Sequence, residues 1–260
     1  YFPFIAIYFS QSLGLALAGA LMMVPPVLSL ITGLIGGSFA DRFGRKSVML
    51  WGVGIQFTMF ILFATSSIIW LDYFAFLGIT IGKGLYKPAS DAMVADTVSA
   101  EYRKEVFATF LTGSNLGAVI GPILGAWLFF DYRDLLLWSC AIVLMIFFLF
   151  IYFWLEETLT WTSNEGLFSP IKQLKDYVII LKDNKFSYYL LAGIFSVIAI
   201  MQLDLYLSVY IYDYVPNQTI VSFINFELSS KDVLGYMLGL NGILFVLFVL
   251  PITKWLKGWS

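Results

Sequence analysis

Histidine is absent from this sequence of 260 residues, and cysteine occurs once, as Cys140 inside an apolar run. Metal ligation, a disulfide framework and Cys/His nucleophilic catalysis therefore have almost nothing to work with, which argues against an enzyme. Charge is scarce as well. Charged residues make up 12% of the chain against 60% apolar ones, and the mean hydropathy is +0.86. No soluble domain has that balance, so the expectation is a polytopic membrane protein. The net charge of −2 says little, because in such a protein the distribution of charge between loops matters more than the sum. A cleavable signal peptide is not evident either. Tyr1 to Ser10 is apolar without a basic flank and reads as the tail of a helix whose beginning is missing.

What the chain does have is long apolar runs. Leu15 to Ala40 and Ser47 to Leu71 carry no charge and are each long enough to cross a bilayer, which takes roughly 20 apolar residues. Apolar runs between charged or turn-rich breaks predict spans near 1–10 (partial), 15–40, 47–67, 71–96, 105–130, 134–155, 187–213 and 232–253, about eight helices. Eleven basic residues fall on one side of that topology (Arg42, Arg45, Lys46, Arg103, Lys104, Lys172, Lys175, Lys182, Lys185, Lys254 and Lys257) against Arg133 and Lys231 on the other. The excess predicts that the first side is cytoplasmic. The longest hydrophilic segment divides the chain into residues 1–155, a cytoplasmic linker over 156–186, and residues 187–260. Within the linker, Ser169 and Pro170 mark a helix start, and Ile171, Leu174, Val178 and Leu181 share one face. That pattern fits a short amphipathic helix lying on the membrane surface, or equally a solvated linker helix.

Ionisable residues inside spans are expensive to bury and become candidates for function by default. Lys83, Lys87 and Asp91 recur every four residues on the fourth helix, beside Pro88, and so line one face where a cation and a carboxylate pair. Such a pair in a polar cavity can exchange a proton for a substrate, or simply neutralise itself. Asp204 lies deep in the seventh span with no basic neighbour close in sequence, a candidate proton carrier, with Tyr206 and Tyr210 as candidate cavity liners. On the fifth helix Gly113, Gly117, Gly121 and Gly125 recur every four residues, with Pro122 after the third, a stripe where a neighbouring backbone can approach closely.

Between the second and third spans stands Gly37-Ser-Phe-Ala-Asp41-Arg42-Phe-Gly44-Arg45-Lys46. The order G-x-x-x-D-R-x-G-R-K resembles the signature loop of the major facilitator superfamily. The resemblance covers nearly the whole chain and implies an all-helical, two-lobed secondary transporter of twelve helices, of which this sequence holds about eight. It implies jobs for the loop residues: Gly37 for close helix approach, Gly44 for the tight turn, and Asp41 as a latch for the outward-facing state. Asp96 matches the acidic partner of the arginine at the Arg45 position. The Gly121-Pro122 step in its glycine stripe resembles the antiporter motif of the superfamily, a hinge and seal.

The runs around Met201-Gln202-Leu-Asp204, Trp255-Leu-Lys257-Gly-Trp259 and Glu101-Tyr-Arg103-Lys104 resemble, more closely, the LmrP-type multidrug/proton antiporters. That resemblance implies export of amphipathic compounds in exchange for protons, with Asp204 at an acidic position of the binding cavity. Phe110-Leu111-Thr112 is uncharged where such transporters can carry another carboxylate, and Gly78 or Thr80 stands near the place of a usual arginine. Gly84-x-x-Lys87-Pro88 and Asn115-x-Gly117 resemble instead the proton-coupled peptide symporters, an alternative in which Lys83 and Lys87 anchor a peptide or organic anion. The expected partners are a small-molecule substrate, protons and the lipid bilayer. No nucleic acid, cofactor or metal is implied, and the expectation is a monomer in a bacterial plasma membrane.

Overall fold

Without water to satisfy peptide groups, a chain inside a bilayer must close its hydrogen bonds within each helix, and the computed structural model follows that rule. It describes residues 2–159, 184–202, 206–216, 218–221 and 226–256. In chain order these form α1 (Phe2–Leu13), α2 (Leu15–Met22), α3 (Val24–Phe43), α4 (Arg45–Thr65), α5 (Ile69–Thr97), α6 (Arg103–Leu128), α7 (Arg133–Trp154), α8 (Asn184–Gln202), α9 (Ser208–Tyr214) and α10 (Ser230–Leu256). A short antiparallel pair, β1 (Gln218–Val221) and β2 (Phe226–Leu228), precedes α10. Hydroxyls shielded from solvent also turn back on their own helix: the buried Thr32 donates to the Leu28 carbonyl at 2.8 Å and the half-buried Thr80 to that of Phe76 at 3.1 Å.

The predicted spans correspond to these helices with ends moved by a few residues. Met23 stays in helical geometry between α2 and α3, so Leu15–Phe43 runs as one apolar stretch of 29 residues. It and Arg45–Thr65, Glu105–Leu128 and Arg133–Trp154 are each long and apolar enough to cross a membrane. Asp72, Lys83, Lys87, Asp91 and Asp96 dilute the apolar character of α5 despite its 29 residues. The seventh predicted span emerges as α8 and α9, while the strand pair was not anticipated. The expected linker helix after Pro170 lies outside the described residues.

The chain reverses at Gly14 (φ 84°) and Gly44 (φ 100°), backbone conformations that a β-carbon disfavours. These turns mark opposite ends of the bundle. α5 packs against α3 and α4, α4 also against α7, and α6 against α10. The core has two parts. Near the Gly14 end, Phe4, Ile5, Ile7 and Phe9 of α1 meet Phe63 of α4 and Phe76 of α5, and Val209, Ile211 and Leu234 from the C-terminal helices join them. Near the Gly44 end, Ala40, Val48, Val53, Leu85, Ala89 and Ile151 come from α3, α4, α5 and α7 alone. Bulky side chains on the outer face of α7, including Val143, Ile146 and Phe153, are exposed, as a lipid-facing surface requires.

Among the described residues the close helix approaches fall on other glycines than those the motifs single out. Gly36, not Gly37, sits at the close approach of α3 to α5: a β-carbon there would stand 2.9 Å from the Gly84 carbonyl, whereas one on Gly37 would meet Pro88 at an ordinary 3.9 Å. Neighbouring helical positions point about 100° apart, so the packed face excludes one of them. On α6, a β-carbon at Gly113, Gly117 or Gly121 meets nothing within 4 Å among the described residues, whereas Gly125 is crowded by the Phe4 ring. The glycines that let α6 and α10 approach belong to α10. Gly235 faces the Pro122 carbonyl, Gly239 that of Val119, and Gly242 that of Ala118.

The tightest crossing is that of α4 and α5, where a β-carbon on Gly52 would lie 2.7 Å from the Gly82 carbonyl and 2.8 Å from the Tyr86 nitrogen. Both obstacles are backbone and cannot swing aside. Gly52→Leu is therefore expected to destabilise the protein by about 3 kcal/mol or more, at the upper end of overpacking effects. A melting curve in detergent checks this, with Gly54→Leu, which faces Phe148 at an ordinary 3.5 Å, as the milder control.

Candidate functional site

At the Gly44 end, the sequence knot folds into an ion-pair network centred on Arg45. Its Nη1 stands 2.7 Å from Asp41 Oδ1 one helical turn back and its Nε 3.1 Å from Asp96 Oδ2 at the end of α5. Nη1 also donates to the Ala40 carbonyl at 2.8 Å. One guanidinium thus ties the end of α3 to the end of α5, a task that suits its planar fork. Lys46 reaches the Tyr152 carbonyl of α7 at 2.9 Å. Arg42 lies over its neighbour Phe43 and stays outside the network.

Sequence reasoning missed the other half of this knot. The Glu157 carboxylate, just beyond α7, accepts the Arg45 backbone N–H at 2.8 Å and that of Lys46 at 3.1 Å. It caps the first turn of α4, where unpaired N–H groups and the helix dipole favour an anion. Gly44 makes room for it, since a β-carbon there would run into that carboxylate. Thr158 adds a hydrogen bond to Asp96 at 3.2 Å.

Lys87 and Asp91, but not Lys83, line a cavity of about 760 Å³ between α5 and the first half of α6. Lys87 Nζ lies 2.5 Å from Asp91 Oδ1, the i, i+4 pair expected from spacing, with Tyr86 and Ser90 beside it. Phe107, Phe110 and Leu111 provide the apolar wall, and Gly113 contributes its bare backbone. Ten residues from the end of α5, Lys87 stands about 15 Å inside that end. Lys83, one turn further in, is exposed and makes no ion pair among the described residues. Both members of the pair reach solvent through the cavity, with side chains 65% and 38% exposed. The arrangement combines a volume typical of organic-ligand sites with a charge pair free to change partners.

Tyr206 and Tyr210 do not join this cavity. With Tyr214 they form a stack, ring centres 6.1 and 5.2 Å apart. They line a separate, mostly apolar cleft of about 340 Å³ between α1–α2 and α9, at the Gly14 end, with Asp213 on its wall. Asp204 lies outside the described residues.

A third cluster was not foreseen. Asp72 in the first turn of α5 is buried, 1% exposed, accepts a hydrogen bond from the Tyr8 hydroxyl and stands 3.6 Å from Arg133 at the start of α7. Only the presence of an acid in an apolar run hinted at it.

The chain matches the sequence pattern described as Major Facilitator Superfamily over residues 1–259. It is 39% identical over 98% of its length to a Na(+), Li(+), K(+)/H(+) antiporter of Planococcus maritimus, covering 64% of that protein. To the multidrug resistance protein MdtH of Salmonella arizonae it is 29% identical over 74% of its length, covering 48% of the relative. The chain thus spans less than two thirds of these curated relatives. Among solved structures, a mutant of a peptide transporter POT in complex with sulfate superposes over 97% of the chain with a TM-score of 0.66 at 21% identity, the chain covering 63% of that structure. A second, in complex with alafosfalin, superposes over 98% with a TM-score of 0.64 at 19% identity, covering 64%. At such identities the likeness speaks for the fold alone. An all-helical membrane architecture, the Arg45 knot and a match along almost the whole sequence lead to one assignment: this chain belongs to the major facilitator superfamily of transporters.

Proposed function

We propose that the chain is part of a proton-coupled antiporter that exports amphipathic, cationic compounds across a bacterial plasma membrane by alternating access. The observation that carries this reading is the α5–α6 cavity, roomy enough for an organic molecule and walled by aromatic side chains around the Lys87–Asp91 pair. Residues 1–155 are the first lobe, 156–186 the linker and 187–260 the start of the second. The principal contacts between the two lobes, α1 with α9 and α6 with α10, gather at the Gly14 end, whereas the cavity lies toward the Gly44 end. With the basic loops on the cytoplasmic side, that is an inward-open arrangement. The Arg45 knot, here closed within the first lobe, is assigned to the conformational switch, its Asp41 serving as latch once the outward-facing state forms, and the open face of Gly113, Gly117 and Gly121 beside Pro122 leaves α6 room to change its packing. Tyr206 and Tyr210 serve the outer closure.

Exchange of sodium, lithium or potassium for protons is the second reading, favoured by the name of the Planococcus maritimus relative. Peptide or organic-anion import draws less support, because Asp91 already neutralises Lys87 and Lys83 does not line the cavity. Asp204, on the seventh span predicted from the sequence, is assigned the proton-carrying role. Asp204→Asn is expected to abolish proton-driven transport while leaving downhill substrate exchange largely intact, measured in proteoliposomes with and without a pH gradient. Coupled transport that survives the change removes Asp204 from the mechanism.

A further inference from the structure

We propose that Asp72, held by Tyr8 and Arg133, is a second proton-binding site of this transporter, reached from the Gly14 end and separate from the α5–α6 cavity. The inference rests on the proton-coupled reading above. Three helices build the site from residues remote in sequence: Tyr8 from α1, Asp72 from α5 and Arg133 from α7. An ionised carboxylate removed from water is costly unless both of its oxygens find partners. Here only one does. Oδ2 takes the Tyr8 hydroxyl and faces Arg133 Nη1 at 3.6 Å, while Oδ1 is buried without a hydrogen-bond partner among the described residues. The bare oxygen is the atom on which a proton can settle without displacing either neighbour.

The arginine, in turn, does not depend on the charge of Asp72. Its Nη1 donates to the Tyr8 hydroxyl at 2.7 Å and its Nη2 to the Ser66 carbonyl at 3.3 Å. Its guanidinium lies over the rings of Tyr8 and Phe63, at 5.1 and 5.7 Å, and its Nε stands 3.8 Å from Asp134. Neutralising Asp72 therefore leaves Arg133 solvated by oxygens and ring faces, which allows the cluster to persist in both protonation states. Arg45, whose partners are chiefly two carboxylates, has no such latitude.

The step is a simple one. When opening of the Gly14 end admits water to the buried Oδ1, a hydronium gives up its proton there and leaves as water, an O–H bond forms, Oδ2 keeps the Tyr8 hydrogen bond, and release reverses the transfer. The cluster gains one positive charge, next to Asp131 and Asp134 on the exposed turn that flanks Arg133. Among the described residues no further ion pair with Asp72 or Arg133 is formed. The Tyr73 hydroxyl points to the Leu21 carbonyl at 2.8 Å, and α4 presents Phe63. The charged residues of α3, α4 and α6 lie at the opposite end. On the elements near α1, Asp213 is exposed at the cleft and Asp232 is hydrogen-bonded by Ser229. Tyr8 sits among Ile7, Phe9 and the α1 face that meets Val209 and Ile211, so the protonation state of Asp72 bears on the helix that closes this end.

The test uses purified full-length protein in detergent, in weak buffer, where proton uptake on acidification is counted for the wild type and for Asp72→Asn. The variant is expected to bind one proton fewer and to lose the infrared carboxyl band that the wild type develops in acid. In proteoliposomes its transport should lose one inflection against external pH. Equal uptake with an unchanged infrared band overturns the proposal and leaves Asp72 as a structural staple. If Asp72→Asn fails to fold, Tyr8→Phe serves instead: it removes the donor to Oδ2 and must shift the inflection, and an unmoved inflection also overturns the proposal. Proton counting needs no transport, so this result stands or falls apart from the antiport reading.

Discussion

Arg45→Ala is expected to lower proton-driven transport at least about tenfold, equivalent to ~1.4 kcal/mol in the balance between conformations. The side chain is only 13% exposed and is the one cation between Asp41 on α3 and Asp96 on α5. Its removal leaves two carboxylates facing each other and unties two helix ends. Breaking a fully buried ion pair costs about 3–5 kcal/mol, but Asp41 is 63% and Asp96 36% exposed. Water screens them, so the loss of stability should be nearer 1–2 kcal/mol. Arg45→Lys separates charge from geometry. A lysine keeps the charge but cannot present one face to Asp41 and another to Asp96, so it should recover stability more than transport. Melting curves and proton-driven flux on the same preparations check both arms. Wild-type flux in Arg45→Ala contradicts the latch.

Asp91→Asn should have the opposite signature, a loss of coupled transport of about tenfold or more with a nearly unchanged melting curve. The pair it breaks has both side chains exposed at the cavity, where such contacts stabilise by about 0–1 kcal/mol. Within the cavity, however, Asp91 is the carboxylate that lines the wall, so its charge sets what Lys87 offers to a substrate. Lys87→Gln then discriminates between substrate classes. It leaves Asp91 as a bare anion, which should tighten binding of a lipophilic cation and weaken that of an anion. Binding titrations of the two variants with one cationic and one anionic dye give the answer. Tighter anion binding in Lys87→Gln rules out Lys87 as an anion anchor, and tighter cation binding supports export.

Much of this architecture was legible in the sequence because the bilayer imposes a simple rule. Uncharged runs of some 20 residues between basic turns have few alternatives to spanning helices. The Lys87–Asp91 pair was legible for the same reason, since i, i+4 spacing on a helix is a contact. Tertiary partnerships were not. Tyr8 and Asp72 are 64 residues apart, Tyr8 and Arg133 125 apart, and Glu157 caps a helix 112 residues away. An acid in a first helical turn, or just past a last one, looks like an ordinary helix end until the fold shows what it faces. The glycines fail in an instructive way. Spacing identifies a smooth stripe, as on α6, but not whether a neighbour lies against it, and the crowded stripe proved to be Gly235, Gly239 and Gly242 on α10. Likewise Gly36 and Gly37 are indistinguishable in sequence, and only the packing of α3 on Gly84 of α5 selects the first.

The central claim is proton-coupled antiport, and the direct measurement is proton movement in liposomes containing the full-length protein. A pH gradient is imposed, a pH-sensitive dye is followed, and a lipophilic cation, an alkali-metal salt or a short peptide is added in separate runs. The account predicts proton flux opposite in direction to the lipophilic cation, abolished in Asp91→Asn. Proton flux in the same direction as peptide, or none with any of the three, contradicts it.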